Sequence, residues 1–402
     1  MTFFNKIDKV IRREIRIWAR RPIYFLGTVA VMTFCTVFYL TFLGQGVPSG
    51  LPIAVVDQNG SSTSRNFCRQ LDATQLGKVV HYGSFSEAQA DLQGGRVTSI
   101  CVIPKGFDRD IQSQRQPTFS FYVNGLYFLG GSLAWKDILT MVNLTAGAVQ
   151  REVLRLKGVP ESEMAGLLRP VDIDVHQIGN ATMNYGAYLA NMMIPGMLQM
   201  VVIIVLIYSL GAELKYGTGR HLLDTVGNDI YAAVSGKMAL YTLLFTLIGW
   251  TIEIILYKWM HFPLAGRLGQ MLLACLLLVL ASESVAVFII GCVPVCRFAL
   301  SIGALYSVLG LSLTGFTLPA EALPAGLRGL TMMYPLRHYY ELYVQVGIFG
   351  SGFGQWYIHI IALLLFCFLP FLVMGRLGRA YTYMDYERLT CKVPCLSYPK
   401  IL

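Results

Sequence analysis

Residues 268–293 read LGQMLLACLLLVLASESVAVFIIGCV, an apolar run in which Glu283 is the only charged side chain. A helix that crosses the bilayer needs about 20 consecutive, mostly apolar residues. The strands of a membrane barrel instead alternate in polarity over about 10 residues. The run therefore predicts a membrane-spanning α-helix and decides the fold class of the chain.

Further runs of this length and composition flank the first. They are Pro22–Leu43, Tyr185–Leu210, Met238–Tyr257, Phe298–Leu318 and Gln355–Gly375. The chain is 55% hydrophobic and 14% charged, whereas an ordinary soluble domain carries about 25% charged residues. The sequence thus predicts an α-helical polytopic membrane protein with six transmembrane helices, of which helices two to six lie within residues 184–376.

Two carboxylates, Glu253 and Glu283, lie inside these runs. Ionisable groups within a membrane are costly and often mark functional sites. A second interpretation stays open, in which neighbouring hydroxyls such as those of Ser282 and Ser284 neutralise the carboxylate, or the side chain is lifted towards the interface.

Basic residues cluster before the first run and after the last. Residues 1–21 contain seven Lys and Arg residues, and the tail 377–402 adds more. Because cytoplasmic segments are enriched in Lys and Arg, both termini are expected in the cytoplasm. The net charge of +9 is therefore read as a topology signal, not as a sign of nucleic-acid binding.

The N-terminal segment 1–21 places Phe4, Ile7, Ile11, Ile15 and Trp18 at steps of three and four residues. This spacing predicts an amphipathic helix that lies in the plane of the membrane surface. The helix is either a simple anchor or a platform that also touches a cytoplasmic partner.

A polar insert, residues 44–183, separates the first two runs, and the orientation places it outside the cytoplasm. Its pattern predicts a mixed α/β domain. Strands are expected at Pro52–Asp57, Lys78–Tyr82, Ser99–Pro104, Thr118–Val123 and Val171–His176, and helices after Ser61, at Ser86–Leu92 and over Leu126–Lys157. Cys68 and Cys101 are either bonded or two free thiols. The insert shows no grouping of side chains typical of a catalytic, cofactor or metal site.

ATP hydrolysis by the P-loop route is excluded for this chain. Gly236-Lys237 is followed by Met238, and no glycine stands five residues before Gly236, so the phosphate-binding motif is missing.

Several short motifs resemble the ABC type 2 permeases, the membrane subunits of bacterial ABC exporters. They occur in the family's order along nearly the whole chain. They are Val55-Val56-Asp57 with Ser62, Ser64 and Arg65; Glu87-Ala88, Leu92, Gly95 and Val97; Val102-Ile103-Pro104-Lys105-Gly106-Phe107; Glu213, Gly217-Thr218, Leu222-Leu223 and Gly236-Lys237; and Gly315-Phe316-Thr317-Leu318-Pro319 with Pro324 and Pro335.

The resemblance implies a coupling loop, residues 211–237, that contacts a cytoplasmic ATPase. Its implied residues are Glu213, Gly217, Thr218, His221, Leu222 and Leu223. We expect a short helix over Lys215–Leu223 that Thr218 caps, and Gly217 permits a tight turn at its entry. Glu213 and His221 are expected as polar contacts and Leu222 as an apolar contact. One departure is that Asp224-Thr225-Val226-Gly227 stands where the family usually has a proline.

The segment 318–354 is rich in Pro and Gly but too apolar for a solvated loop. We expect short re-entrant helices that close the outer end of a pathway, since irregular backbone at membrane depth is tolerated where protein buries it. The residues of this outer gate are Phe316, Pro319, Pro324 and Pro335.

The resemblance implies the permease subunit of an ATP-driven exporter in the bacterial inner membrane, with an amphipathic substrate such as a drug, lipid or glycan. This chain itself needs no cofactor, because ATP and magnesium would be bound by the partner ATPase. A second permease copy (a homodimer) or a sister permease is a further expected partner, and a periplasmic adaptor protein would accompany true export. Two alternatives stay open: a membrane anchor that transmits ATPase movements without transport, and an ion-coupled transporter that uses Glu253 and Glu283.

Overall fold

The computed structural model describes residues 2–44, 46, 49–74, 77–113, 118–123, 128–168, 176, 179–180 and 184–383. The chain divides into two compact units. The insert unit is Gln45–His176, and the helical unit combines Met1–Gly44 with Gln177–Leu402. The expected strand Val171–His176 falls largely outside the described residues, as does most of the tail 377–402.

The helical unit is built from long apolar helices joined by short ones. Its helices are α1 (Phe3–Arg20), α2 (Pro22–Phe42), α8 (Tyr185–Lys215), α9 (Gly219–Thr225), α10 (Ile230–Trp259), α11 (Leu268–Cys292), α12 (Cys296–Ser312), α13 (Ala325–Thr331), α14 (Pro335–Leu342), α15 (Phe353–Phe366) and α16 (Leu369–Tyr383). The last turns of α10 and the second turn of α2 are π-helical. The amphipathic helix predicted near the N-terminus is thus confirmed as a helix.

Within the described residues, five helical segments are long and apolar enough to cross a membrane. They are α2, α8, α10, α11 and the pair α15–α16. The predicted fifth span is shorter than expected, because α12 ends at Ser312 and not at Leu318. The count of six spans therefore stays a prediction.

A backbone turn, and not a proline, follows the end of α12. Gly315 has a φ of 91°, and the Arg337 guanidinium donates to the Thr314 carbonyl at 2.7 Å. A Cβ atom on Gly315 would lie 2.1 Å from that guanidinium. The helix therefore ends before it reaches Pro319, because the chain has already turned at Gly315.

Short elements fill the segment between α12 and α15, as the composition predicted. A 3₁₀ turn (Ala320–Ala322) and α13 and α14 are followed by a π-helical stretch, Tyr343–Ile348. Pro324 directly precedes α13, and Pro335 is the first residue of α14, a position where a missing N–H costs nothing. Re-entry of these short elements into the bilayer stays a prediction.

The insert unit has a four-stranded sheet. Its strands β1 (Leu51–Asp57), β2 (Gly77–His81), β3 (Ser99–Ile103) and β4 (Ser120–Val123) lie in the order β2-β1-β3-β4. Strand β1 is parallel to β2 and β3, whereas β4 is antiparallel to β3. The helices are α3 (Ser62–Asp72), α4 (Phe85–Gln93), α5 (Phe107–Gln112), α6 (Phe128–Leu156) and α7 (Glu161–Leu168). The predicted mixed α/β class and its first four strands are confirmed.

Alternate residues of β1 pack into two separate cores. Ile53 and Val55 belong to a cluster with Phe67 and Leu71 of α3. Ala54 and Val56 face the other way, in a cluster with Ala88 of α4. Successive side chains of a strand point to opposite faces, so this sheet is covered by helices on both faces, as its run of apolar residues indicates.

The motifs around Asp57 and Gly106 meet at the end of β1. Asp57 accepts backbone hydrogen bonds from Asn59 and Gly60 at 2.9 and 3.0 Å, and one from the Ser64 hydroxyl at 2.6 Å. The Asn59 side chain in turn accepts from the Gly106 N–H at 3.1 Å. These residues therefore build the turns that join the sheet to α3 and α5.

We expect Asp57→Ala to weaken this corner of the sheet by about 1.5–3 kcal/mol, the net contribution of hydrogen bonds to a charged group. Burial raises the pKa of Asp57, but the hydrogen bonds from Ser64, Gly60 and Asn59 lower it below the usual value. A depressed folded-state pKa means that the contribution is complete above the unfolded pKa and is lost as pH falls through the folded one.

Amide hydrogen exchange of β1 in the intact chain, corrected for intrinsic rates at pH 6 and pH 3, measures this effect. Ser64→Ala removes one donor and keeps the carboxylate, so its loss of protection should be smaller. Equal protection of β1 in Asp57→Ala and the unaltered protein would show that the turn does not hold the sheet.

Cys68 and Cys101 are both free and buried in the insert unit. Burial raises the pKa of the Cys101 thiol to about 12. Of the two readings left open by the sequence, the structure has the free thiols.

Candidate functional site

The loop after α8 begins with a tight helix-ending turn. Gly217 has a φ of 64°, the Thr218 N–H donates to the Glu213 carbonyl at 2.9 Å, and the Gly217 N–H donates to the Leu214 carbonyl at 3.3 Å. This pair of bonds around a left-handed glycine is the Schellman motif, which satisfies carbonyls at a helix end. The predicted glycine turn is therefore found, and Glu213 is part of it.

The same turn is repeated ten residues later, at the end of α9. Gly227 has a φ of 67°, and the Asn228 N–H donates to the Leu223 carbonyl at 2.9 Å. Asp229 then caps α10 by accepting from the Ala232 N–H at 3.2 Å. Gly227 thus ends the short helix where the related permeases usually have a proline. The helix itself runs over Gly219–Thr225, which is later than the predicted Lys215–Leu223.

Beneath this loop lies a group of four charges, three of them buried and one, Arg13, half-buried. We call this group the charge quartet: Arg13, Glu14, Glu213 and Lys237. Glu14 is 2%, Glu213 4% and Lys237 1% exposed. The Lys237 ammonium lies 2.8 Å from Glu14 and 3.0 Å from Glu213. Arg13 donates to both oxygens of Glu213, at 2.6 and 2.9 Å. The quartet joins α1, α8 and α10.

Further polar groups complete the hydrogen bonding of the quartet. Lys237 also donates to the carbonyl and hydroxyl oxygens of Ser209, both at 3.2 Å. The Thr218 hydroxyl donates to Glu213 at 2.5 Å. Two positive and two negative charges balance, which is the condition under which buried charges are tolerated.

Arg13 stays fully protonated in this setting. Burial lowers its pKa, but the hydrogen bond and the charge of Glu213 raise it by more, so that the net shift is upward. A planar guanidinium that meets both carboxylate oxygens also fixes the geometry of the pair. The first helix is therefore tied to the end of α8.

Two glycines permit the helices around the quartet to approach closely. A Cβ atom on Gly236 would lie 2.7 Å from the Cβ of Val10, and one on Gly219 would lie 3.1 Å from the Tyr381 side chain. The Tyr381 hydroxyl donates to the Leu210 carbonyl at 3.1 Å. The Gly236-Lys237 pair of the motif thus has two structural roles: the glycine lets α1 pack against α10, and the lysine reaches the quartet.

The loop residues singled out in the sequence divide into a surface set and a buried set. Gly217, Thr218 and His221 are exposed, whereas Glu213, Leu222 and Leu223 are buried. Glu213 and Leu222 were expected to contact the partner directly, but their side chains are buried within this chain. Thr218 does not cap α9, because its hydroxyl donates a hydrogen bond to the Glu213 carboxylate instead. The structure thus presents Tyr216, Gly217, Thr218, Arg220 and His221 on the loop surface.

Sequence reasoning missed Arg13, Glu14 and Lys237 as members of this site. Glu14 was recognisable as an acidic residue within a basic helix, and Lys237 belongs to a motif that was quoted for the family resemblance and for the missing phosphate loop, without a role of its own. Neither feature indicates a partner about 200 residues away in the sequence. Only packing brings them together.

The two intramembrane carboxylates have hydroxyl partners in the structure. Glu253 is 3% exposed and accepts from the Tyr339 hydroxyl at 2.5 Å. Glu283 is fully buried and accepts from the Thr242 hydroxyl at 2.5 Å. The neighbouring Ser282 and Ser284 bond to helix carbonyls instead, so the hydroxyl that contacts Glu283 comes from Thr242 on α10. Both interpretations of the carboxylates stay open.

The residues of the expected outer gate are separated by the structure. Phe316 is 7% exposed and stacks on Tyr188 at 4.4 Å. Pro335 is buried, whereas Pro319 and Pro324 are exposed. Phe316 therefore packs within its own chain, and any gate would have to move this stacked pair.

Comparisons with known proteins agree on the class of the chain. The family model described as "ABC-2 family transporter protein" matches residues 22–376. The chain is 24% identical over 334 residues to a protein named "Inner membrane transport permease YhhJ" from Escherichia coli (strain K12), which covers 82% of this chain and 84% of that protein. The protein of the same name from Shigella flexneri matches to the same extent.

Proposed function

This chain belongs to the ABC-2 family of transporter proteins, and from that membership we propose that it is the permease subunit of an ATP-driven exporter. A separate cytoplasmic ATPase would bind ATP and magnesium, because the sequence lacks the phosphate-binding loop. The substrate would be amphipathic, of drug, lipid or glycan type, and would move outward across the bacterial inner membrane.

The observation that carries this proposal is the exposed turn at Tyr216–His221 above the charge quartet. Its backbone is fixed by the Schellman motif, and its base is fixed by ion pairs to α1 and α10. A rigid surface of this kind can transmit a movement of a soluble partner to α1, α8 and α10 together. Glu213 and Leu222 would then act as positioning residues, and Thr218 and His221 would contact the ATPase.

The remaining expectations form part of the same proposal. Both termini would be cytoplasmic, α12 would be the fifth of six spans, and the short helices after it would re-enter the outer leaflet around Phe316. A second copy of the chain or a sister permease would complete the pathway. The stacked pair of Tyr188 and Phe316 and the Glu253–Tyr339 hydrogen bond tie that segment to the long helices.

Orientation and activity can be tested together. In a background without cysteines, an impermeant thiol reagent applied from outside should label a cysteine introduced at Asn66 and leave one at Lys215 unlabelled. The purified chain should capture the ATPase encoded beside it and stimulate its hydrolysis in proteoliposomes, with net substrate flux. Labelling of Lys215 from outside would overturn the orientation. Stimulated hydrolysis without flux of any amphipathic probe would favour the transmitting alternative.

A further inference from the structure

A basic cavity opens beside the charge quartet, between α1 and the turn at Tyr216. Its volume is about 390 Å³. Arg16, Arg20 and Arg21 line it from the side of α1, and the turn contributes Tyr216 and His221. These three arginines take no part in the ion pairs of the quartet.

The cavity has an excess of positive charge. Arg13 and Glu213 also line it, but they neutralise each other within the quartet. Among the residues that the structure describes, Arg16, Arg20 and Arg21 make no salt bridge with a carboxylate. Arg16 donates to the Arg12 carbonyl at 3.2 Å, and the Arg21 guanidinium lies over the Tyr216 ring at 4.8 Å. Three arginines thus line one space, and no carboxylate of the described chain neutralises them.

The cavity lies where the chain enters the membrane. Arg21 directly precedes α2, whose first residues Ile23 and Phe25 are exposed, and Phe4 on α1 is 81% exposed. Exposed apolar side chains on a basic helix are typical of an interfacial helix that sinks its apolar face to the level of the headgroups. Ile17 and Tyr24 also line the cavity. We therefore expect the three arginines to lie at the depth of lipid phosphates.

We propose that this cavity binds the phosphate group of an anionic phospholipid from the cytoplasmic leaflet. The proposal rests on the orientation given under the proposed function. Guanidinium groups match phosphate oxygens in pairs of parallel hydrogen bonds, and the cytoplasmic leaflet attracts basic segments next to a membrane span. Through Tyr216 and Arg13, the bound lipid would contact both the exposed turn and the quartet.

The test compares two triple variants of equal net charge. Arg16→Gln/Arg20→Gln/Arg21→Gln removes the cavity's free cations, whereas Arg12→Gln/Arg297→Gln/Arg379→Gln removes three exposed arginines elsewhere. Binding of phosphatidylglycerol to the full chain in phosphatidylcholine nanodiscs is followed by native mass spectrometry. The cavity variant should lose about 100-fold in affinity, since each cation near the membrane contributes a factor of about five. The control variant should lose much less.

Three results would overturn the proposal. Equal losses in both variants would show diffuse attraction to the membrane, not a site. Competition by inorganic phosphate or glycerol phosphate at concentrations comparable with those of the lipid would identify a soluble phosphate as the ligand. The cavity variant could also bind lipid normally but fail to capture the ATPase in phosphatidylcholine alone. That result would make the cavity a contact for an acidic side chain of the ATPase. Because hydrolysis stimulated by the unaltered chain is measured in the same nanodiscs, failure of the proposed function is seen separately from failure of lipid binding.

Discussion

Replacing Lys237 with methionine should lower the free energy of unfolding of the helical unit by about 3–5 kcal/mol, because removal of one partner leaves a buried charge uncompensated. Lys237 is 1% exposed and contacts both Glu14 and Glu213. Without it, both carboxylates depend on Arg13 alone, which lies 3.1 Å from Glu14 and 2.6 Å from Glu213, so one negative charge is left unbalanced. The measurement is the denaturation midpoint of the purified chain in mixed detergent micelles.

A second variant distinguishes the charge from the shape of the side chain. Glu14→Gln/Lys237→Met leaves only Arg13 and Glu213, so the charges balance again. We expect it to recover much of the lost stability, since neutral or apolar replacement of a whole buried pair is often tolerated. Arg12→Met is the surface control, because the Arg12–Asp8 pair is exposed and such pairs contribute about 0–1 kcal/mol.

Two outcomes would contradict the role given to the quartet. If Lys237→Met behaves like Arg12→Met, the buried ion pairs do not hold the helices together. If the double variant is no more stable than Lys237→Met alone, packing of the lysine side chain matters more than its charge.

Gly217→Val should strongly reduce coupling to the ATPase while the chain stays folded. A β-branched residue is strained at a φ of 64°. A non-glycine residue in this left-handed backbone conformation raises the free energy of the turn by about 1–3 kcal/mol. A Cβ atom at this position meets nothing within 4 Å, so the strain acts on the backbone of the turn alone. The permease concentration for half-maximal ATPase stimulation should rise about tenfold or more, since 1.4 kcal/mol corresponds to a factor of ten.

Gly217→Asn is the matched control. Asparagine is similar in size to valine but tolerates the left-handed conformation, as Asn228 does in the second turn at a φ of 64°. Stimulation by Gly217→Asn should therefore stay close to that of the unaltered protein. If both variants fail equally, the added side chain blocks a contact at the surface, and if neither fails, this turn is not the coupling element.

Local features of the chain could be predicted because they depend on neighbouring residues. The run at 268–293 became α11, Leu268–Cys292, since length and composition alone decide whether a segment is stable in a bilayer. Ser61 caps α3 by accepting from the Ser64 N–H at 3.0 Å, as its position before a helical pattern indicated. Gly217 was recognised as a tight turn for the same reason.

The end of α12 could not be predicted from hydropathy. Phe298–Leu318 is apolar throughout, yet the helix ends at Ser312. The turn that follows depends on Arg337, which donates to the Thr314 carbonyl at 2.7 Å. Hydropathy averaged over a window depends only on composition, so it is the same for helical and irregular residues. It therefore does not reveal a turn that is held by a side chain distant in the sequence.

The long apolar helices, the α/β insert, the glycine turn and the family could all be predicted from the sequence, because each depends on residues close together or on motifs in a fixed order. Which loop residues are available to a partner depends instead on how the helices pack. Glu213 is buried because Arg13 and Lys237 reach it from two other helices, and buried charges are stable only when such partners are present. Ion pairs between residues about 200 positions apart leave no local pattern in the sequence. The fold is therefore needed to tell which loop residues support the turn from inside and which form its contact surface.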